Sequence, residues 1–357
     1  MFKAYLVGFF LLLLFILHPQ AHAVTAFQKW FEGELENPTE LLNEARKAAR
    51  DHRFIFLAGF LNEGMRLQYF EENKAALENA GASPENIHIL FPSSENSVEE
   101  NVEELKNTVA DLAKKGPQII VLIGHSKGAV DALAFAVSMP EFVKEKVHSI
   151  FLIQGAFGGS GVADHVKGLG HPTDGRMPAL ERVAFEVATK FGQLLDFRIN
   201  KGFQSLTRIS AQDFWMKKLK VTQASLEGVS QKVFFIRSYR SPFLVAPVLR
   251  NTCAYLEAYY GKNDGLVMVE DQWLSSVGTL LATLSSDHAG LTVSRPISNA
   301  PPEYRTAFTN ALLMQISGTL ELDRSPFPNN IFFRTKTESF NRKYYSILRN
   351  GQIWVKL

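Results

Sequence analysis

Gly124-His125-Ser126-Lys127-Gly128 is the stretch of this chain whose residue types and spacing could do chemistry. It follows the apolar run at 119–123 directly and opens the helical pattern at 129–137. A serine hydroxyl at the tip of a strand-to-helix turn needs small neighbours, because the backbone there is strained and packs closely. The helix behind it adds a favourable dipole and free N–H groups. Gly-x-Ser-x-Gly alone is a weak signal. Its placement makes Ser126 a candidate nucleophile for attack on an acyl carbon.

A nucleophilic serine needs a base, and the base needs an orienting acid. On a strand-turn-helix elbow these follow in the order serine, Asp or Glu, histidine. His52, His88 and His125 precede Ser126, and His148, His165 and His171 lie before the late strand signals. His288 follows the last strand signal, at 279–284, in the polar loop Ser285-Ser286-Asp287-His288-Ala289-Gly290. For the acid, Asp264 in Gly261-Lys262-Asn263-Asp264-Gly265 is favoured over Glu270, Asp271 and Asp287. Asp287 adjoins His288, so its side chain is expected to point elsewhere; Glu270 and Asp271 look like helix or surface residues. Two main-chain N–H groups must receive the oxyanion. Lys127 supplies one, and Phe60, in the loop Ala58-Gly59-Phe60 after an early strand, is chosen for the other. The Lys127 side chain itself is expected to be a solvated surface charge.

The elements that must position these residues are short apolar runs separated by helical patterns. Strand signals fall at 54–57, 87–91, 119–123, 150–153, 233–236 and 279–284, with helical patterns at 67–79, 98–114, 129–137 and 303–316. Strands spaced by helices of this length predict parallel βαβ units with helices on both faces. The alternation stops after 153. Residues 155–175 are glycine-rich and read as loop, and 179–195 carry an apolar stripe of Leu180, Val183, Ala184, Val187, Ala188, Phe191, Leu194 and Leu195 behind Pro178. One domain spanning 24–357, with a helical insertion at about 158–231, accounts for the pattern. The aromatic tail after 322 is too rich in Phe, Tyr and Trp to read as disordered.

These motifs carry a resemblance to bacterial triacylglycerol lipases of the α/β-hydrolase superfamily. It rests on residues 123–131 around Ser126, on Asn263-Asp264-Gly265-Leu266-Val267 and on Asp287-His288, with weaker support from 154–164 and 206–219. It covers about 53–293. It implies an α/β-hydrolase fold with a mostly parallel sheet, a lid formed in part by 179–195, and a lipid ester substrate met at an interface through that lid. Ala58 departs from the histidine that usually precedes the oxyanion residue. The family's calcium pattern places an acid shortly after the histidine, whereas no Asp or Glu lies between His288 and Glu303. No metal and no cofactor are therefore expected.

The remaining composition narrows the setting. Over 357 residues the formal charge is only +2, with basic and acidic residues interspersed, so a nucleic-acid partner is set aside. Residues 1–23 combine Lys3, an apolar run at 5–17 and the ending Ala21-His22-Ala23, the pattern of a secretory leader; an uncleaved anchor is the alternative. Export to the periplasm or medium is the expectation. The single cysteine, Cys253, permits no intramolecular disulfide and reads as a buried small hydrophobe. The function expected is hydrolysis of carboxylic esters, with a depolymerase or acyltransferase using the same three residues, or a non-catalytic lipid-binding relative, as alternatives.

Overall fold

The computed structural model describes residues 24–60, 62, 68–116, 118–171, 175–179, 181–186, 200–222, 226–294 and 298–320. The expected leader at 1–23, the second half of the stripe at 187–195 and the aromatic tail after 322 lie outside them.

Six strands form the sheet: β1 His52–Leu57, β2 Ile87–Leu90, β3 Ile119–His125, β4 Val147–Ile153, β5 Val233–Ser238 and β6 Thr279–Leu284. Their spatial order is β2-β1-β3-β4-β5-β6, and each neighbouring pair is parallel. Buried parallel strands read as continuous apolar runs because both faces are covered, and the alternation of side chains sorts the two cores. Phe54, Phe56, Val121, Ile123, Phe151 and Ile153 face one layer, where the helices Ala26–Glu36, Asn43–Asp51, Glu71–Ala80 and Pro302–Ile316 pack. Ile55, Leu57, Ile120, Leu122, Ile150 and Leu152 face the other, covered by Val98–Ala113, Lys127–Ser138, Pro140–Lys146 and, through Trp215, by Arg208–Thr222. Each such side chain removed from water contributes about 1.5–3 kcal/mol.

Local chemistry sets the helix ends. Ser97 and Glu100 form a reciprocal capping box at the start of Val98–Ala113, with Ser97 Oγ accepting from the Glu100 N–H and Glu100 Oε2 accepting from the Ser97 N–H. Such a cap is worth about 1 kcal/mol. The Pro302–Ile316 helix is tied to Glu71–Ala80 by a fork: Arg305 Nε and a terminal nitrogen each lie 3.1 Å from a Glu72 carboxylate oxygen. Burial pushes the Glu72 carboxyl up, but hydrogen bonds from Ser294 and Arg305 outweigh it and hold it below the usual range.

Several elements depart from the sequence reading. The helices Ala26–Glu36 and Asn43–Asp51 precede the first strand. The helix Lys127–Ser138 ends just before Pro140, and Pro140 starts a further helix, Pro140–Lys146, where its missing N–H costs nothing. The segment read as loop at 155–175 contains the short helix Gly161–Val166, capped by Ser160 Oγ accepting from the Val162 N–H. The insertion between β4 and β5 is otherwise helical at 181–186, Lys201–Ser205, Arg208–Thr222 and Glu227–Ser230. Of the stripe assigned to the lid, Phe185 is buried against Tyr255, but Val183 is 58% exposed. The apolar side of that helix is therefore only partly a packing face.

Candidate active site

Ser126 sits between β3 and the Lys127–Ser138 helix with φ 54° and ψ −123°, a conformation that L-residues avoid. Strain of this kind costs roughly 1–3 kcal/mol and persists only where the surroundings over-determine it. They do so here through close approach. A Cβ on Gly124 would meet the Gly128 carbonyl oxygen at 2.5 Å, and one on Gly128 would meet the Leu57 carbonyl oxygen at 2.4 Å. Both motif glycines are thus required by backbone packing, and the second lets the Lys127–Ser138 helix press onto the end of β1. The Ser126 N–H donates to the Ile153 carbonyl at 3.0 Å, which ties the turn to β4 as well.

Across the end of the sheet, His288 Nδ1 lies 2.8 Å from Asp264 Oδ2, and the His288 N–H donates to the Asp264 carbonyl at 2.8 Å. The two residues favoured as base and acid are therefore brought together, joined through side chain and main chain. Asp264 is fully buried, yet its two oxygens are filled by donors: the Leu266 and Val267 N–H groups on Oδ1, at 3.0 and 2.9 Å, and His288 and Gln272 on Oδ2. The Asn263-Asp264-Gly265 turn makes this possible by folding the chain back onto its own carboxylate. With a carboxylate at Nδ1, the imidazole carries its proton there and leaves Nε2 as an acceptor.

The rival acids part company from this arrangement. Asp287 turns away and accepts from the Ala246 N–H at 2.9 Å and the Ala289 N–H at 3.2 Å. Glu270 is exposed and faces Arg237, and Asp271 lies against Arg208.

Three residues that the sequence reading passed over complete the site. Gln272 donates to Asp264 Oδ2, to the Ser238 carbonyl and to the Val267 carbonyl, and its Oε1 accepts from the Ser238 N–H at 2.7 Å. Nothing in its sequence context marks it. Gln154, in a positive-φ conformation at the end of β4, donates to Ser238 Oγ and to the Asp287 carbonyl at 2.8 Å. His125 places Nε2 2.8 Å from the His288 carbonyl, so Nε2 carries the proton and donates. Burial, then the neighbouring His288, holds its pKa well below the ordinary histidine value, so the ring is neutral.

On the opposite wall, an added Cβ on Gly59 would lie 2.8 Å from Ser126 Cβ and 3.0 Å from Tyr69 Oη. The Ala58-Gly59-Phe60 loop thus runs directly against the serine, and only glycine fits at its closest point. Phe60 is half-buried and its ring contacts Phe203 of the insertion. Burial pushes the Tyr69 hydroxyl far above the usual range, although the Gly59 N–H aimed at its oxygen opposes the shift. Lys127 opens its helix, so its N–H belongs to the first turn, where no intrahelical acceptor exists.

The Lys127 side chain overturns an expectation. Instead of being solvated it is 2% exposed, with Nζ 3.2 Å from Asp131 Oδ2. Asn101 donates to the same oxygen at 2.8 Å. Burial raises the Asp131 carboxyl while Lys127 and Asn101 pull it down. A helix apolar on every side is a buried helix, and the run Ala129–Val137, apolar except for Asp131, carried that signal for Lys127 beside it.

No family model and no curated protein matches this chain. Solved structures do. A metagenomic carboxyl esterase superposes with a TM-score of 0.54 at 21% identity, over 76% of each chain. The mature form of a Bacillus licheniformis lipase superposes with a TM-score of 0.51 at 17% identity, over 74% of this chain and 89% of that one. The chain has the α/β-hydrolase fold. Within that fold the serine turn, the histidine loop and the aspartate turn all lie at the carboxyl end of the parallel sheet, where open α/β sheets place their sites.

Proposed function

We propose that the chain is a serine ester hydrolase acting on lipid esters, with Ser126 as nucleophile, His288 as general base and Asp264 as the residue that orients it. The observation that carries this reading is the buried 2.8 Å contact between His288 Nδ1 and Asp264 Oδ2, at the sheet end that also holds the strained Ser126 turn.

Ser126 Oγ attacks the ester carbonyl carbon, and its proton passes to His288 Nε2. Asp264 fixes the tautomer and stabilises the imidazolium. The carbonyl oxygen becomes an oxyanion, received by the N–H groups of Lys127 and Phe60. Collapse expels the alcohol, which takes the proton from His288, and leaves the acyl chain on Ser126. Water, deprotonated by the same imidazole, then releases the acid and frees the serine. His125 takes no part in proton transfer; its bond to the His288 carbonyl holds the base's backbone. The insertion acts as a lid over an apolar acyl site, and residues 1–23 direct export.

The test is a series of nitrophenyl esters of rising chain length, assayed below and above micelle formation. Turnover that rises with chain length and jumps at the micellar threshold fits a lipid esterase; equal rates throughout contradict the lipid part of the reading. Transfer of the acyl group to an added alcohol in place of water would reassign it as an acyltransferase.

A further inference from the structure

The loop after β5 exposes apolar side chains on an ordered turn. Phe243 is 80% exposed, Leu244 57% and Val248 67%, with Tyr239 beside them. These tips are held in place. The Leu244 N–H donates to the Ser241 carbonyl and the Leu249 N–H to the Ala246 carbonyl, both at 2.9 Å. Val245, Ala246 and Leu249 are buried beneath them against Cys253. The Ala246 N–H donates to Asp287, and Asn299 donates to the Val245 carbonyl at 3.2 Å. Exposing a phenylalanine and a leucine side by side on a fixed turn forgoes the burial that most such residues obtain, and clustered exposure of this kind marks an interaction site.

The charges around the tip point to its partner. Between Tyr239 and Leu256 the chain holds Arg240 and Arg250 but no Asp or Glu. Lys262 joins them, 4.6 Å above the Tyr239 ring. Among the described residues none of these three cations has a carboxylate partner. Three acids act on Cys253 beneath the loop: Glu257, exposed on the helix Arg250–Tyr259, and Asp264 and Asp287, which are buried and turned inward to other donors. The loop is also anchored to Asp287, the residue before His288, and so lies at the same end of the sheet as Ser126. Among the described residues no helix is long and apolar enough to cross a membrane.

We infer that the turn Tyr239–Arg250 is a membrane-docking loop, which inserts Phe243, Leu244 and Val248 into an anionic lipid surface while Arg240, Arg250 and Lys262 meet its headgroups. Apolar tips supply insertion, and each basic residue near an anionic surface adds about 1 kcal/mol of attraction. Docking here presents the serine end of the sheet to the lipid, on a loop separate from the helical insertion.

The test is sedimentation of the full chain with vesicles of neutral phosphatidylcholine, or of an equimolar mixture with phosphatidylglycerol. The protein carries Ser126→Ala, so that the vesicles stay intact and the result is independent of catalysis. Binding to the mixed vesicles is expected. Phe243→Ser with Leu244→Ser should lower it at least about tenfold, with thermal unfolding unchanged. Arg250→Gln with Lys262→Gln should lower it about fivefold per charge on mixed vesicles and leave the neutral ones unaffected. In a separate sample, Phe243→Trp should show blue-shifted emission on the mixed vesicles. Absence of binding, or binding that ignores both variants, would overturn the proposal. So would a concentration-dependent dimer without lipid that Phe243→Ser with Leu244→Ser abolishes, since the loop would then seat a second copy of the chain.

Discussion

The carboxyl end of the sheet and the anchor of the insertion solve the same problem, fixing buried polar groups, in different ways. At the sheet end, Asp264 is held by two main-chain N–H groups, a glutamine and a histidine, and His288 is pinned through both its side chain and its N–H. At the anchor, Arg208 opens the Arg208–Thr222 helix between two acids. Its N–H donates to Asp164 Oδ1 at 2.9 Å, its Nε lies 3.5 Å from Asp271 Oδ2, and its guanidinium covers the Tyr260 ring. Burial pushes the Asp271 carboxyl up to about 6, with Arg208 opposing and Glu270 and Asp164 adding to the rise, and burial also raises Asp164. Besides His288, one region relies on main-chain and amide N–H donors. The other relies on charges that titrate. The contrast predicts that the attachment of the insertion responds to pH through Asp271.

The largest effect that could break this comparison is expected at the base. His288→Ala should lower kcat/KM on a soluble ester by about 10⁴-fold or more, with the unfolding midpoint little changed because Asp264 keeps its other donors. Full activity in that variant would remove the site from this end of the sheet.

Gln272→Ala comes next. It withdraws a donor from Asp264 Oδ2 and leaves the Ser238 N–H without its buried acceptor. A fall in kcat of about 10–100-fold is expected, with a smaller change in KM. A variant as active as the parent would mean that main-chain donors alone hold the aspartate.

Asp271→Asn sharpens the other half. Because Asp271 is raised in the fold above its unfolded value, the native state binds the extra proton, and this group's contribution to stability falls as pH rises from about 4 through about 6. The unfolding midpoint of the parent should therefore drop relative to the Asn variant over that window. Turnover of a soluble ester by the variant should stay within about threefold of the parent. Parallel midpoint curves would show that Asp271 does not titrate there.

The smallest effect is expected at Tyr69, whose hydroxyl borders Gly59 on the wall facing Ser126. Tyr69→Phe should reduce kcat by about threefold to tenfold, through loss of order in the loop that carries Phe60. An unchanged kcat would confine Tyr69 to packing.

Much of the fold was legible because buried parallel strands leave little choice of residue. Each of the six apolar runs corresponds to one strand, and the glycines flanking Ser126 announced a close approach that the backbone distances bear out. The order of serine, aspartate and histidine selected two side chains that the fold brings into contact. What stayed hidden depends on distant partners. Gln272 and Gln154 act through hydrogen bonds to residues 5 to 133 positions away, which no local pattern encodes. The helix Asn43–Asp51 buries three alanines, too small to draw a strong apolar stripe. Lys127 misled for the converse reason: a charge normally means solvent, and only the apolar surroundings of its whole helix reveal the buried pair with Asp131.

The central claim is that Ser126 is the nucleophile, and covalent labelling tests it most directly. A fluorophosphonate probe should add one equivalent to the parent chain, map by mass spectrometry to the peptide containing Gly124-His125-Ser126, and leave Ser126→Ala unlabelled. Labelling that survives the substitution, or a correctly folded parent that takes up no probe, would contradict it.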